Sequence, residues 1–185
     1  MLASASPRRS EILSQLRVPF RVVPSSFSEC DASVLPMERP RRFAEEKALD
    51  VSRREPLEYV LGFDTLVFLD GEPLGKPKSA DDAFRMLSAL SGRSHKVVSG
   101  VALAHDGKLL ASDAETTVVR FRRLGERFLR RYVESGEGKD KAGAYAIQGL
   151  GASLVESIDG CFYNVVGLPV ARTLKLIENL GDQNV

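Results

Sequence analysis

The chain has 185 residues, with 26 lysines and arginines against 25 aspartates and glutamates, a hydrophobic share of 43% and a charged share of 28%. That length suits one domain, 1–185, with a substantial core. The near-neutral balance excludes a whole-molecule field that would recruit nucleic acid or an anionic membrane, so any anion binding has to come from a local cluster of donors.

Pro7, preceded by Ser6, predicts a helix start with Ser6 as its cap, Arg8 and Arg9 in the first turn, and Ile12, Leu13 and Leu16 on one apolar face. Residues 20–23 predict a short strand, and a second helix is expected over 40–53, ended by Glu55-Pro56. The run 59–69 is nearly all apolar, as expected of a strand buried on both faces, and Asp64 interrupts its middle. An Asp70-Gly71 hairpin turn follows. Ser79 with Asp82 resembles a capping box, and Ala83, Met86, Leu87 and Leu90 recur at helical spacing before Gly92 closes the helix. Residues 96–104 and 111–121 predict two strands joined around Asp106-Gly107. A helix over 124–135, a strand over 154–158 and a last helix opened by Pro169 complete a mixed α/β domain.

Three segments can carry chemistry. Ser4-Ala5-Ser6-Pro7-Arg8-Arg9 sets free backbone N–H groups of a helix start beside two guanidinium forks, which suits a polyphosphate; it also suits an ordinary capped helix with two exposed arginines. Asp64-Thr65 is the second, because a carboxylate in an apolar run is costly unless it meets a cation, a donor or water. Facing a cleft, Asp64 can hold a divalent metal and orient or deprotonate a water; the alternative is a structural aspartate satisfied by backbone donors. In the third, Leu74-Gly75-Lys76-Pro77-Lys78, Lys76 is a compact charge for phosphate or else a loop lysine exposed to solvent. It is not a P-loop, since no glycine stands five residues before Gly75.

The glycine-rich stretch 139–151 has the composition of a functional loop, but Leu154 occupies the third glycine position of a dinucleotide fingerprint, which excludes that reading. The arginines of 120–131 are punctuated by Glu126 and flanked by Asp113, Glu115 and Glu134, as on a solvated face. His95 and His105 lack ligand spacing, and a Ser-His-Asp arrangement is not indicated. Cys30 and Cys161 lie far apart, so neither zinc nor a disulfide framework is expected. The N-terminal residues lack the apolar core of a secretion signal and no stretch is long and apolar enough to span a bilayer, so the expectation is a cytoplasmic protein without membrane or nucleic-acid partners.

Leu2-Ala3-Ser4-Ala5-Ser6-Pro7-Arg8-Arg9, Gly62-Phe63-Asp64-Thr65, Gly75-Lys76-Pro77, the run 140–149 with Ile147-Gln148-Gly149, and Val166-Gly167-Leu168-Pro169 together resemble the Maf family of nucleotide pyrophosphatases, in order and over almost the whole chain. The resemblance implies an α/β fold like that of the inosine triphosphate pyrophosphatases, with an elongated mixed sheet flanked by helices and two lobes around a central cleft. It implies a homodimer, a divalent metal (magnesium or manganese), and hydrolysis of a nucleoside triphosphate to monophosphate and pyrophosphate. Asp64 matches the catalytic carboxylate and a metal ligand, and Glu29 matches the last acid of a motif usually richer in carboxylates. Ser4, Arg8, Arg9, Lys47 and Lys76 match residues on the phosphate side. Arg8, Thr65 and Gln148 match the subgroup acting on dTTP and UTP rather than the one favouring methylated guanine nucleotides. A regulator of septum formation with little turnover is the competing reading. Phe63 departs from the family, which usually has a small residue before the aspartate.

Overall fold

The computed structural model describes residues 1–28 and 34–181. In chain order the elements are α1 (Pro7–Gln15), α2 (Arg39–Arg54), β1 (Val60–Leu69), β2 (Glu72–Leu74), α3 (Ala80–Leu90), β3 (Ser94–His105), β4 (Lys108–Phe121), α4 (Glu126–Glu134), β5 (Val155–Asp159), α5 (Phe162–Val166) and α6 (Val170–Gly181). Short 3-10 segments occur at Pro36–Glu38, Ala142–Ala144 and Gly149–Leu154. The strands form one sheet in the order β2-β1-β3-β4-β5, antiparallel where β1 meets β2 and where β4 meets β5. Helices flank it, so the α/β expectation holds.

Local chemistry explains the hairpins. In both Asp70-Gly71 and Asp106-Gly107 the two successive residues have positive φ, which a two-residue turn matching the strand twist demands and which Asp-Gly tolerates. Because β2 covers only Val67–Leu69 of β1, the beginning of β1 is left for Leu2, which forms parallel bridges to Leu61 and to Val22. The expected strand over 20–23 is therefore reduced to one bridge. Leu2 N donates to Arg21 O at 2.9 Å and Val23 N to Leu2 O at 3.0 Å, but Val22 itself is half exposed and bridges only Leu2 among the described residues.

The described residues form two compact units, one made of Met1–Thr65, Ser99–Glu115 and the residues from Gly167, the other of Leu66–Val98 and Thr116–Val166. In the first, small side chains (Ala3, Ala44, Ala48, Val51, Val60, Ala102 and Ala104) make a buried cluster where α2 lies on the strands. The contact is close enough that a Cβ on Gly62 would stand 2.7 Å from Ala48 N and 2.9 Å from Ala48 Cβ, so β1 meets α2 backbone to backbone at that point.

In the second unit, Ser79 caps α3 by accepting from Asp82 N at 3.1 Å, and Ala83, Met86, Leu87 and Leu90 are its buried face. Asp82 completes a variant of the capping box by accepting from Lys78 N rather than from the cap residue. The core of this unit includes three rings packed edge to face, His95, Phe121 and Tyr145, with centroids 4.8–5.3 Å apart. His95 Nε2 and Tyr145 Oη are 2.7 Å apart. Burial lowers the His95 pKa to about 4, because the imidazolium would lose its hydration. The unfolded chain then binds a proton at pH 4–6.5 that the folded chain refuses. Stability from neutral His95 is complete above pH 6.5 and is lost as pH falls towards 4, by about 3 kcal/mol. Urea unfolding at pH 7 and at pH 4.5 should give a smaller acid loss for His95→Phe than for the native chain; equal losses would refute the assignment.

Candidate functional site

The first unit gathers most of the residues singled out from sequence. Asp64, on β1, is 5% exposed. Lys47, on α2, donates from Nζ to Asp64 Oδ1 at 2.6 Å, with its side chain 12% exposed. Helical spacing aims Lys47 at the strand: Phe43, Ala44, Ala48 and Val51 form the buried face of α2, and Lys47 lies beside them at i+3 and i+4 from Ala44 and Phe43. Both groups are poorly hydrated, so removing either charge would cost stability, and the pair is a constraint as much as a stabiliser.

Next to Asp64, Thr65 Oγ1 lies 2.8 Å from Ser99 Oγ of β3. Arg9 ties this pair to the N-terminal loop. Its Nη2 donates to Thr65 Oγ1 at 3.2 Å, its Nη1 to Ser4 Oγ at 2.9 Å and its Nε to Gly167 O at 2.9 Å. The guanidinium carbon stands 5.8 Å from the centroid of the Phe63 ring, within cation–π range. Phe63, the departure from the family pattern, is fully buried and supports Arg9 from inside.

The helix start differs from expectation in one detail. Ser6 occupies the N-cap position of α1 with Pro7 following, but its side chain makes no cap hydrogen bond; Ser6 N instead donates to Ser4 Oγ at 3.2 Å. Ser4 Oγ thus accepts from both Ser6 N and Arg9 Nη1, which fixes the loop rather than the helix. Arg8 is half-buried in the same first turn and makes no hydrogen bond or ion pair with the described residues. The two adjacent arginines thus have different environments, one clamped by three acceptors and one available.

The second unit holds Lys76 and Gln148. Lys76 is exposed in the turn after β2, where Gly75 O accepts from Gly143 N at 3.0 Å and so ties this turn to the glycine-rich stretch. Gln148 is exposed at the N-cap of the 3-10 segment Gly149–Leu154, with no side-chain cap hydrogen bond. Glu29 lies outside the described residues. Among the described residues no group of three or more histidine, cysteine, aspartate or glutamate side chains converges as a metal cluster would, and no helix is long and apolar enough to cross a membrane.

Two participants were not anticipated. Ser99 interrupts Val97-Val98-Ser99-Gly100-Val101 much as Asp64 interrupts β1, so the same signal was available for it. Gly167 stood within a recognised motif, but its role as a carbonyl acceptor has no side-chain signature.

Residues 1–180 match the family model described as Maf-like protein. The chain is 41% identical over 186 residues to a dTTP/UTP pyrophosphatase of Ruminiclostridium cellulolyticum, covering 99% of this chain and 96% of that one. It is 47% identical over 184 residues to a dTTP/UTP pyrophosphatase of Clostridium perfringens strain 13, with 97% and 95% covered. A dTTP/UTP pyrophosphatase of Symbiobacterium thermophilum is 49% identical over 182 residues, with 98% and 93% covered. Among solved structures, a nucleoside-triphosphatase (dITP/XTP pyrophosphatase) of Mycobacterium abscessus aligns with a TM-score of 0.46 and 14% identity, over 98% of this chain and 93% of that one.

Proposed function

The chain belongs to the Maf-like family, and on that footing we propose that it is a nucleoside triphosphate pyrophosphatase that cleaves dTTP and UTP between the α and β phosphates. The observation that carries the reading is the buried Lys47–Asp64 pair at 2.6 Å beside the Thr65–Ser99–Arg9–Ser4 network, in a chain 41–49% identical to relatives of that activity. Asp64 is the base: it accepts the proton of the attacking water at Oδ1 or Oδ2. Lys47 orients that carboxylate and lends its charge to the phosphate side of the site. Arg8, Lys76 and the Ser4 loop supply positive charge and donors to the triphosphate, and Arg9 holds the loop and Thr65 in place.

A magnesium or manganese ion is part of this reading, with Asp64 as the described carboxylate that would hold it. Ions of that type bind through one or two carboxylates and complete their shell with water and substrate phosphate oxygens. Asp64 is the proposed first ligand and Glu29 the second. When bound, such an ion polarises the phosphate and acidifies its water. Thr65, Arg8 and Gln148 are assigned to base choice. Uracil and thymine present keto oxygens where cytosine presents an amino group, and an arginine can only donate, so UTP and dTTP are preferred to CTP by about 1–3 kcal/mol.

The products decide the reading. Incubation with UTP and magnesium or manganese, followed by anion-exchange chromatography, should yield UMP and pyrophosphate in equal amounts, and UDP with orthophosphate would refute it. Absence of turnover with UTP, dTTP and a methylated guanine nucleotide alike would favour a binding regulator.

A further inference from the structure

We propose that Glu137 is a positioning residue for base selection, acting through the backbone that carries Gln148. The inference rests on the assignment of Gln148 to the base.

Glu137 accepts three hydrogen bonds. Its Oε2 takes Leu150 N at 2.8 Å, and its Oε1 takes Gly151 N at 2.8 Å and Tyr132 Oη at 3.1 Å. Leu150 and Gly151 lie in the first turn of the 3-10 segment Gly149–Leu154, where backbone N–H groups have no partner within the helix, so one carboxylate supplies the cap that Gln148 does not. On the other side of Gln148, Ala146 N donates to Tyr132 Oη at 3.1 Å. The backbone is therefore pinned two residues before and two residues after Gln148 by a connected tyrosine and glutamate. Gly149 is part of the device: a Cβ there would run into Glu137 Oε2 and stand 3.1 Å from its Cδ. Gln148 is extended (φ −93°, ψ 171°), exposed, and spends no side-chain hydrogen bond on the described residues, so its amide projects from a fixed frame with both donor and acceptor available to a ligand.

A glutamine on a loose loop can flip and slide to meet either pyrimidine. One on a fixed backbone offers its amide at one height only, so the base must adapt to it, and the energy of that fit appears as affinity. Glu137→Gln removes the fixation with little change in volume. Whichever way the new amide turns, its NH2 faces the N–H of Leu150 or Gly151.

The test is a double-mutant cycle read in UTP kinetics. Glu137→Gln is expected to raise KM for UTP about tenfold with kcat within about twofold, Gln148→Ala to do the same, and the double variant to add little to either. Amide exchange at Leu150 and Gly151 should quicken in Glu137→Gln. Should that variant unfold, Tyr132→Phe, which releases Ala146 N and one oxygen of Glu137, should raise KM in the same direction by a smaller factor. A normal KM in folded Glu137→Gln beside a raised KM in Gln148→Ala would overturn the inference alone, as would fully additive effects. A Gln148→Ala enzyme indistinguishable from native would remove the base assignment, and the inference with it.

Discussion

Asparagine at position 64 should lower kcat for UTP by about 10³-fold while leaving a folded protein. The substitution keeps the shape of the side chain and an oxygen able to accept from Lys47 Nζ, now 2.6 Å from Asp64 Oδ1. It removes the charge and the basicity. A neutral amide cannot take a proton from water, and it is a poor ligand for a divalent ion, so both proposed duties end together. KM should stay level or fall, because the negative charge next to a polyphosphate disappears and the Lys47 ammonium faces the phosphates without a competitor. Stability should drop, since Lys47 is mostly buried and loses the Asp64 charge beside it, but the drop is small beside the kinetic effect. Steady-state kinetics with saturating metal, together with thermal unfolding, separate the two. Retention of most of the rate in folded Asp64→Asn would identify Asp64 as a structural aspartate.

Arg9→Ala and Arg8→Ala should diverge, although the two residues are adjacent and of one type. Arg9 donates to Ser4, Thr65 and Gly167, and its removal takes one charged donor from each and leaves the Phe63 ring without its cation; a loss of about 2–4 kcal/mol in unfolding free energy is expected, with activity falling in parallel. Arg9→Lys should recover little, because one ammonium cannot replace a planar fork that reaches three partners. Arg8 makes no such contacts among the described residues, so Arg8→Ala should shift stability by no more than about 0.5 kcal/mol. Its kcat/KM should fall by about 10²-fold, as for loss of one donor to developing phosphate charge. Urea titration and UTP kinetics on the two variants check the contrast. Reversed effects would make Arg8 the strut and Arg9 the phosphate ligand.

The sequence disclosed whatever is periodic or chemically out of place. The buried face of α3 was legible from Ala83, Met86, Leu87 and Leu90, and its cap from Ser79 and Asp82, because both follow from helix geometry alone. Asp64 was legible because a carboxylate in an apolar strand needs a reason. Ser99 carries a weaker version of that signal, since a hydroxyl costs far less to bury than a charge. The cap role expected of Ser6 went to no side chain; the hydroxyl that bonds backbone here is that of Ser4, which takes the N–H of Ser6 itself and so orders the loop before the first turn. Helix α5, only five residues long, is too short to show a period. Glu137 was invisible for a different reason: its partners are mostly backbone N–H groups, which every residue has.

The close approach at Gly62 gives the chain a way of setting a length without a ligand. Two positions before Asp64, the bare backbone of β1 lets α2 settle to the distance at which Lys47 reaches the carboxylate. The gap works as a gauge block: its thickness is that of an absent methyl group, and the 2.6 Å spacing of the charged pair is machined against it. Position 62 touches no substrate in this scheme and has no chemistry of its own. The outer face of α2, where Arg42 pairs with Glu46, can drift in sequence without altering that gauge, whereas one added carbon at 62 would move the whole helix.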